Sequence, residues 1–306
     1  MAEVYLKSNR YGKQEVKFLK KLVDKHDPKK QEVIEYTVLI LLTGEFTESY
    51  TKEDNASVVP TDTQKNTVYL LAKLHDFSQP EVFAAIVANH FTSLERFAHV
   101  SGAHCEVTQH RWSKMTMSTG ERHAHSFYRD GEELRTAVCD STRKGALKVQ
   151  SGIKNLLVLK STGSAFYGFF KDEWTTLPEV QDRIFSTSVD CSYSWAAFAS
   201  LENVKSYSAT FGKAFDGARQ TTFDIFARDF SCSVQATMYK MCSQIISQFS
   251  GVAEVEYVLP NKHYFECNME PFGIKNSGPD ATIYLPQAWP AGRIQACVAR
   301  KAQAKL

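Results

Sequence analysis

The chain has 306 residues, 43% of them apolar and 23% charged, which is a globular composition and excludes both a mini-protein and general disorder. Lys plus Arg number 36 against 34 Asp plus Glu, so the net charge of +2 is too small for the positive field that nucleic-acid binding uses. The longest clearly apolar run, Val38 to Leu42, falls far short of the roughly twenty residues of a membrane-spanning helix. The N-terminus lacks the apolar core of a secretory signal, and seven cysteines with no C-x-x-C pair fit reduced thiols. An intracellular protein with a small or neutral partner is the expectation.

In chain order, Val33 to Thr43 and Thr67 to Ala72 are rich in strand formers and predict a hairpin, joined by a polar loop from Thr47 to Gln64. Ser78-Gln79-Pro80-Glu81 matches a capping box, and apolar residues from Val82 to Phe97 follow at helical spacing. Strands are expected around Cys105 to Met117, His123 to Arg129 and Leu134 to Val138, with turns at Gly120 and Asp130-Gly131. The second half predicts strands at Ile153 to Lys160 and Thr187 to Trp195, then a largely helical stretch from about Leu201 to Phe249. Within that stretch Val234, Met238, Met241, Cys242, Ile245, Ile246 and Phe249 share a helical face. Strands return at Val255 to Leu259, Thr282 to Leu285 and Arg293 to Val298. Two successive groups of strands enclosing helices, without a G-x-G-x-x-G, indicate an α+β chain cut near residues 140–145 into 1–142 and 143–306.

Phosphate-loop, nucleophile-elbow and H-E-x-x-H signatures are absent. His123 and His125, two apart on a strand, share a face and are the best metal candidates, but no third ligand is identifiable. His263 stands directly after a strand and a proline, beside Asn261.

Leu157 to Thr162, Phe166, Leu177 and Arg183 together resemble the signature of the urate oxidase (uricase) family. Similar segments flank it in order: Tyr11-Gly12-Lys13, Thr61-Asp62, Lys65-Asn66-Thr67, His110-Arg111-Trp112, His125-Ser126-Phe127, Ser233 to Tyr239 and Leu259 to Phe265. Trp174 departs from the expected Tyr or Phe, and Ala304-Lys305-Leu306 departs from the Ser-Lys-Leu peroxisomal address by one small residue.

The resemblance implies two tandem tunnelling-fold (T-fold) units, each an antiparallel four-stranded sheet with helices layered on one side, assembled as a homotetramer with sites shared between subunits. It implies oxidation of urate by dioxygen and water to 5-hydroxyisourate and hydrogen peroxide, with no metal and no organic cofactor, in the peroxisome, with the tail read by the import receptor. Phe166 would stack on the purine, Arg183 would grip one edge, and Gln235 with the Val234 N–H would meet mixed donors and acceptors. Lys13 and Thr61 would form the proton-handling dyad, extended by His263. A lysine serves as a base only where desolvation or a nearby cation strips its charge. Asn261 would place dioxygen and water, and Asp62 would orient the segment carrying Thr61. A metal-dependent pterin or purine enzyme of the cyclohydrolase type, using His123 and His125, is the alternative.

Overall fold

The computed structural model describes residues 3–287 and 289–301, so the Ala304-Lys305-Leu306 tail lies outside the described residues. The first repeat opens with β1 (Tyr11–Val23) and β2 (Gln31–Gly44), an antiparallel hairpin. In β2 Ile34, Tyr36, Val38, Ile40 and Leu42 are all buried and alternate with more exposed residues, so one face meets the core. After a short helix α1 (Thr47–Thr51) come α2 (Thr61–Leu74) and α3 (Pro80–Ser93), then β3 (Val100–Thr116) and β4 (Arg122–Thr142). The strands lie in the order β1-β2-β3-β4, each pair antiparallel, and α3 packs on β2, β3 and β4 while α2 packs on β1.

The second repeat follows the same plan: β5 (Lys148–Lys160), β6 (Phe185–Trp195), helices α4 (Leu201–Ser206), α5 (Ser208–Arg228) and α6 (Val234–Gln248), then β7 (Val252–Glu266), β8 (Tyr284–Gln287) and β9 (Arg293–Ala299). β9 pairs with residues 254–260 of β7 and β8 with 263–266, both antiparallel, so the two behave as one interrupted fourth strand. The expected α+β pattern of two T-fold repeats is therefore present. By packing, the chain forms two compact units, one of Met1–Ile153, Tyr193–Asp216 and Gly251–Ala253, the other of Lys154–Ser192, Gly217–Ser250 and Glu254–Leu306.

Four local expectations are corrected. Thr67 to Ala72 is not a strand but the body of α2, because Gln64, Val68, Leu71 and Ala72 are its buried residues and recur at helical spacing. The strand that pairs with β2 is instead β1, whose many lysines hide its period; only Val16 is fully buried, although Phe18 packs edge-on against Tyr36 and Phe83. The segment from Thr47 to Gln64 is not all loop, since it holds α1 and the first turn of α2. Finally, Asp130-Gly131 is not a hairpin turn: β4 runs through it as a bulge in which residues 130–133 face Arg111. The Arg111 guanidinium spans that bulge, 3.0 Å from Asp130 and 3.1 Å from Glu133, and Gly131 supplies the required φ of +76°.

The capping box also resolves differently. Helix α3 begins at Pro80 without a side-chain cap, and Glu81 turns inward with no exposed surface. Its carboxylate accepts from Arg135 Nη2 at 2.8 Å and Ser151 Oγ at 2.7 Å, while Ser151 accepts from Trp195 Nε1 at 2.9 Å. The Arg135 guanidinium also lies over the Phe215 ring, 4.7 Å from its centroid. Removing one member leaves the other charge buried, which costs about 3–5 kcal/mol. Glu81→Leu should lower the unfolding free energy by that amount in denaturant titrations, and adding Arg135→Met should restore much of it. A single variant as stable as the parent would remove the pair from the core's support.

Candidate active site

The residues expected to act fall into two groups, one in each compact unit. In the first unit, Gly12 lies so close to β2 that a Cβ there would sit 1.8 Å from the Ile40 carbonyl oxygen, so no other residue fits the strand. Lys13 pairs with Ile40, and the register then shifts before Val16, with Glu15 at φ 57°. Thr61 is the first residue of α2, after Pro60. Asp62 accepts hydrogen bonds from Lys65 at 2.5 Å and Asn66 at 2.9 Å. The Lys65 hydrogen bond holds the Asp62 carboxyl below its ordinary value, and the positive charge of Lys13 adds to the effect. The neighbour this contact reveals for Lys13 is a carboxylate, Asp62, in the first turn of α2.

In the second unit three segments are tied by backbone. Ser164 bridges Ser231 in parallel, Ala165 N–H donates to Ser231 O at 3.1 Å, and Ser231 N–H donates to Gly163 O at 3.0 Å. Phe166 and Val180 exchange two hydrogen bonds, of 2.8 and 2.9 Å, and Arg183 N–H donates to Ser164 O at 2.8 Å. These bonds bring together the Phe166 ring, the Arg183 side chain and the start of α6. The Arg183 guanidinium carbon lies 5.1 Å from the Phe166 ring centroid, and Phe169 stacks on Phe166 at 4.7 Å. Burial lowers the Arg183 pKa, and its buried Nε has no partner.

Ser233 caps α6, its hydroxyl accepting from Ala236 N–H at 3.4 Å and donating to Gln235 Oε1 at 3.1 Å. Val234 is the first helical residue, its side chain buried, so its N–H is one of those a helix leaves without an internal acceptor. The Gln235 side chain is exposed beside it. On β7, Asn261 N–H donates to Gly292 O at 2.8 Å, and its buried Oδ1 has no partner. His263 pairs with Gln287, and its ring lies nearly parallel to Phe265. The break between β8 and β9 falls opposite Asn261 and Lys262, which separates these side chains from a regular ladder.

His123 and His125 touch edge to face, their ring centroids 4.6 Å apart, with His125 Nδ1 3.3 Å from Lys29 O. Among the described residues no three His, Cys, Asp or Glu side chains are placed to hold one metal ion. Sequence reasoning did not single out Tyr11 on its own, Gln64, or the Ser164–Ser231 bridge, although Tyr11 sits inside a quoted family segment and Ser164 beside the signature.

An aromatic plane, a partly desolvated guanidinium with an unused donor, and the open end of a helix suit a flat heterocyclic anion rich in acceptors. The fold is that of a tandem T-fold protein. The uricase family model matches residues 9–140 and 149–295, one stretch for each repeat, and the chain belongs to the uricase family. It is 49% identical to the uricase of Schizosaccharomyces pombe over 298 residues, covering 97% of this chain and 98% of that one. With the uricase of Emericella nidulans the identity is 45% over 300 residues, with 97% and 98% covered. The crystal structure of uricase from Arthrobacter globiformis superposes with a TM-score of 0.86 at 33% identity, covering 100% of this chain and 98% of that one. Nothing in these relatives favours the cyclohydrolase-type alternative.

Proposed function

We infer that the chain oxidises urate with dioxygen, and the observation that carries this reading is the buried, unpartnered Arg183 Nε beside the Phe166 ring. A buried donor left unmade costs about 1–3 kcal/mol, so an anion offering paired acceptors on one edge relieves that cost as it binds. Urate is such an anion, and its flat ring can lie against Phe166. The Val234 N–H and the Gln235 amide meet its mixed edge of carbonyls and ring nitrogens.

Dioxygen carries two unpaired electrons and accepts electrons singly, so the substrate must first become more electron-rich. Desolvation in the closed, urate-filled site, and not the Asp62 carboxylate near it, would free the Lys13 amine to act as base; through the Thr61 hydroxyl, extended by His263, it takes the proton that generates the urate dianion. The dianion gives two electrons to dioxygen, and addition of water at the oxidised ring gives 5-hydroxyisourate with release of hydrogen peroxide. The Asn261 amide faces dioxygen and then water, and Asp62 fixes the turn that carries Thr61. The electron source is the substrate itself, so no organic cofactor or metal enters the proposed scheme. Chelator-treated protein should take up oxygen with urate and release an equal amount of peroxide, read with an oxygen electrode and a peroxide assay. Activity that returns only with added metal would overturn the cofactor-free part.

The proposed assembly is a homotetramer in which Lys13 and Thr61 of one subunit complete the site formed by Phe166, Arg183, Gln235, Asn261 and His263 of another. Delivery to the peroxisome through Ala304-Lys305-Leu306 and its import receptor belongs to the same proposal, because that compartment contains the peroxide made. Arg183→Ala should mainly raise KM, and Lys13→Met should mainly lower kcat. Lys13→Met and Arg183→Gln chains, each inactive alone, should regain part of the activity when mixed under subunit exchange. Mixed oligomers as inactive as their parents would place both groups of residues in one chain's site.

A further inference from the structure

The Tyr11 hydroxyl is held by both polar groups of one peptide residue 48 positions away: it donates to Val59 O at 3.1 Å and accepts from Val59 N–H at 2.7 Å. Gln64, fully buried, donates from Nε2 to the same carbonyl at 3.1 Å, while its own N–H donates to Pro60 O at 3.0 Å. Val59 is therefore clamped from the strand by a phenol and from the helix by an amide. Only Pro60, whose φ is fixed by its ring, separates Val59 from Thr61.

Tyr11 itself has little freedom. Its ring packs edge-on against Phe46, 4.8 Å between centroids, and Phe46 has no exposed surface. The next residue is Gly12, pressed against β2, and the register is regular from Tyr11 to Lys13. Residues two apart on a strand project to the same face, so Tyr11 and Lys13 share one. The side chain that fixes Val59 and the amine assigned as base thus stand on the same side of the same short strand segment.

We propose that Tyr11 is a positioning residue for the oxidation, a latch that fixes the Thr61 hydroxyl relative to the Lys13 amine through Val59 and Pro60. This rests on the reading of Lys13 and Thr61 as the proton-handling dyad and extends it. A phenol suits the task because it both donates and accepts, whereas a phenylalanine ring fills the same space and does neither. Burial pushes the Tyr11 phenol up from its ordinary value, so the latch stays protonated through the neutral range. The latch lies within the first unit, and none of its bonds involves a residue assigned to the substrate grip, so its loss acts on proton transfer and not on urate affinity.

The experiment is steady-state oxygen uptake with urate on the purified full chain, comparing Tyr11→Phe, Gln64→Met, Lys13→Met and Thr61→Ala. Phe91→Leu, at a fully buried residue of α3 whose ring packs on His90 and Phe97 and that makes none of the latch's hydrogen bonds, serves as a stability control. Tyr11→Phe should lower kcat about ten- to a hundredfold, the cost of a misplaced catalytic group, while KM changes by less than about threefold. Gln64→Met should show the same split more weakly, and it reads the clamp independently if Tyr11→Phe fails to fold. Phe91→Leu should lower the melting temperature without that split. Tyr11→Phe with parental kcat, beside inactive Lys13→Met and Thr61→Ala, would remove the latch and leave the dyad standing. Parental turnover in Lys13→Met and Thr61→Ala would instead remove the dyad, and the latch with it. A Tyr11→Phe protein whose kinetics match those of an equally destabilised Phe91→Leu would make Tyr11 merely structural.

Discussion

Burying the Glu81 carboxylate obliges the first unit to surround it with donors, and that constraint organises the unit. The carboxylate sits on α3, its guanidinium partner on β4, its hydroxyl partner on β5, and the indole that orients the hydroxyl at the end of β6. Hydrophobic contact alone does not fix how a helix slides or rotates over a sheet, because many registers bury similar area. A buried ion pair with directional bonds penalises every register but one. The second unit meets the same need without charge: Tyr257 on β7 shares a hydrogen bond of 2.7 Å with Thr222 on α5, and burial raises the Tyr257 pKa so that it stays neutral. Two repeats of one plan thus use different polar fasteners.

The parts of the fold that were legible in the sequence are those where local pattern and burial coincide. β2 alternates cleanly, and the buried face of α6 recurs at helical spacing, so each was readable from apolar periodicity. β1 was not, because its lysines break the apolar alternation that a strand buried on one face would show. α2 was misread because a buried glutamine holds one corner of its apolar stripe, and a run of Val, Tyr and Leu supplies strand-like composition in its place. Glu81 met every local criterion of a cap, yet a partner 54 residues away took its carboxylate. Local propensity loses wherever a tertiary bond to a charged group is available.

At the site the limit is similar. Phe166, Arg183, Gln235 and Asn261 were nameable from family resemblance, since motif spacing survives in the chain. What holds them is less visible. The Ser164–Ser231 bridge is a backbone contact between distant segments, and the Val59 clamp joins side chains to a single peptide, so the common serine and valine residues do not mark them. The unused donor on Arg183 and the unused acceptor on Asn261 could not be read from sequence either, because satisfaction of a polar atom is a property of its surroundings.

Those two unsatisfied atoms explain why a reaction driven by the substrate's own electrons calls for so much rigid backbone. Where a cofactor supplies reactivity, the protein orients substrate against it; here the substrate itself supplies the electrons, so the whole task left to the protein is placement and proton transfer. In the proposed scheme the proton must leave urate, and dioxygen must meet the ring, from fixed directions. Small displacements of the acting groups then cost orders of magnitude in rate. The side chains assigned to act stand beside such fixed points: Arg183, Phe166 and Asn261 beside main-chain hydrogen bonds to Ser164, Val180 and Gly292, and Thr61 two residues from Val59, whose peptide groups the Tyr11 phenol holds. In that scheme, polar atoms left unpaired on such supports have little room to satisfy themselves, so they stay available to the proposed ligand and their cost is recovered when it binds.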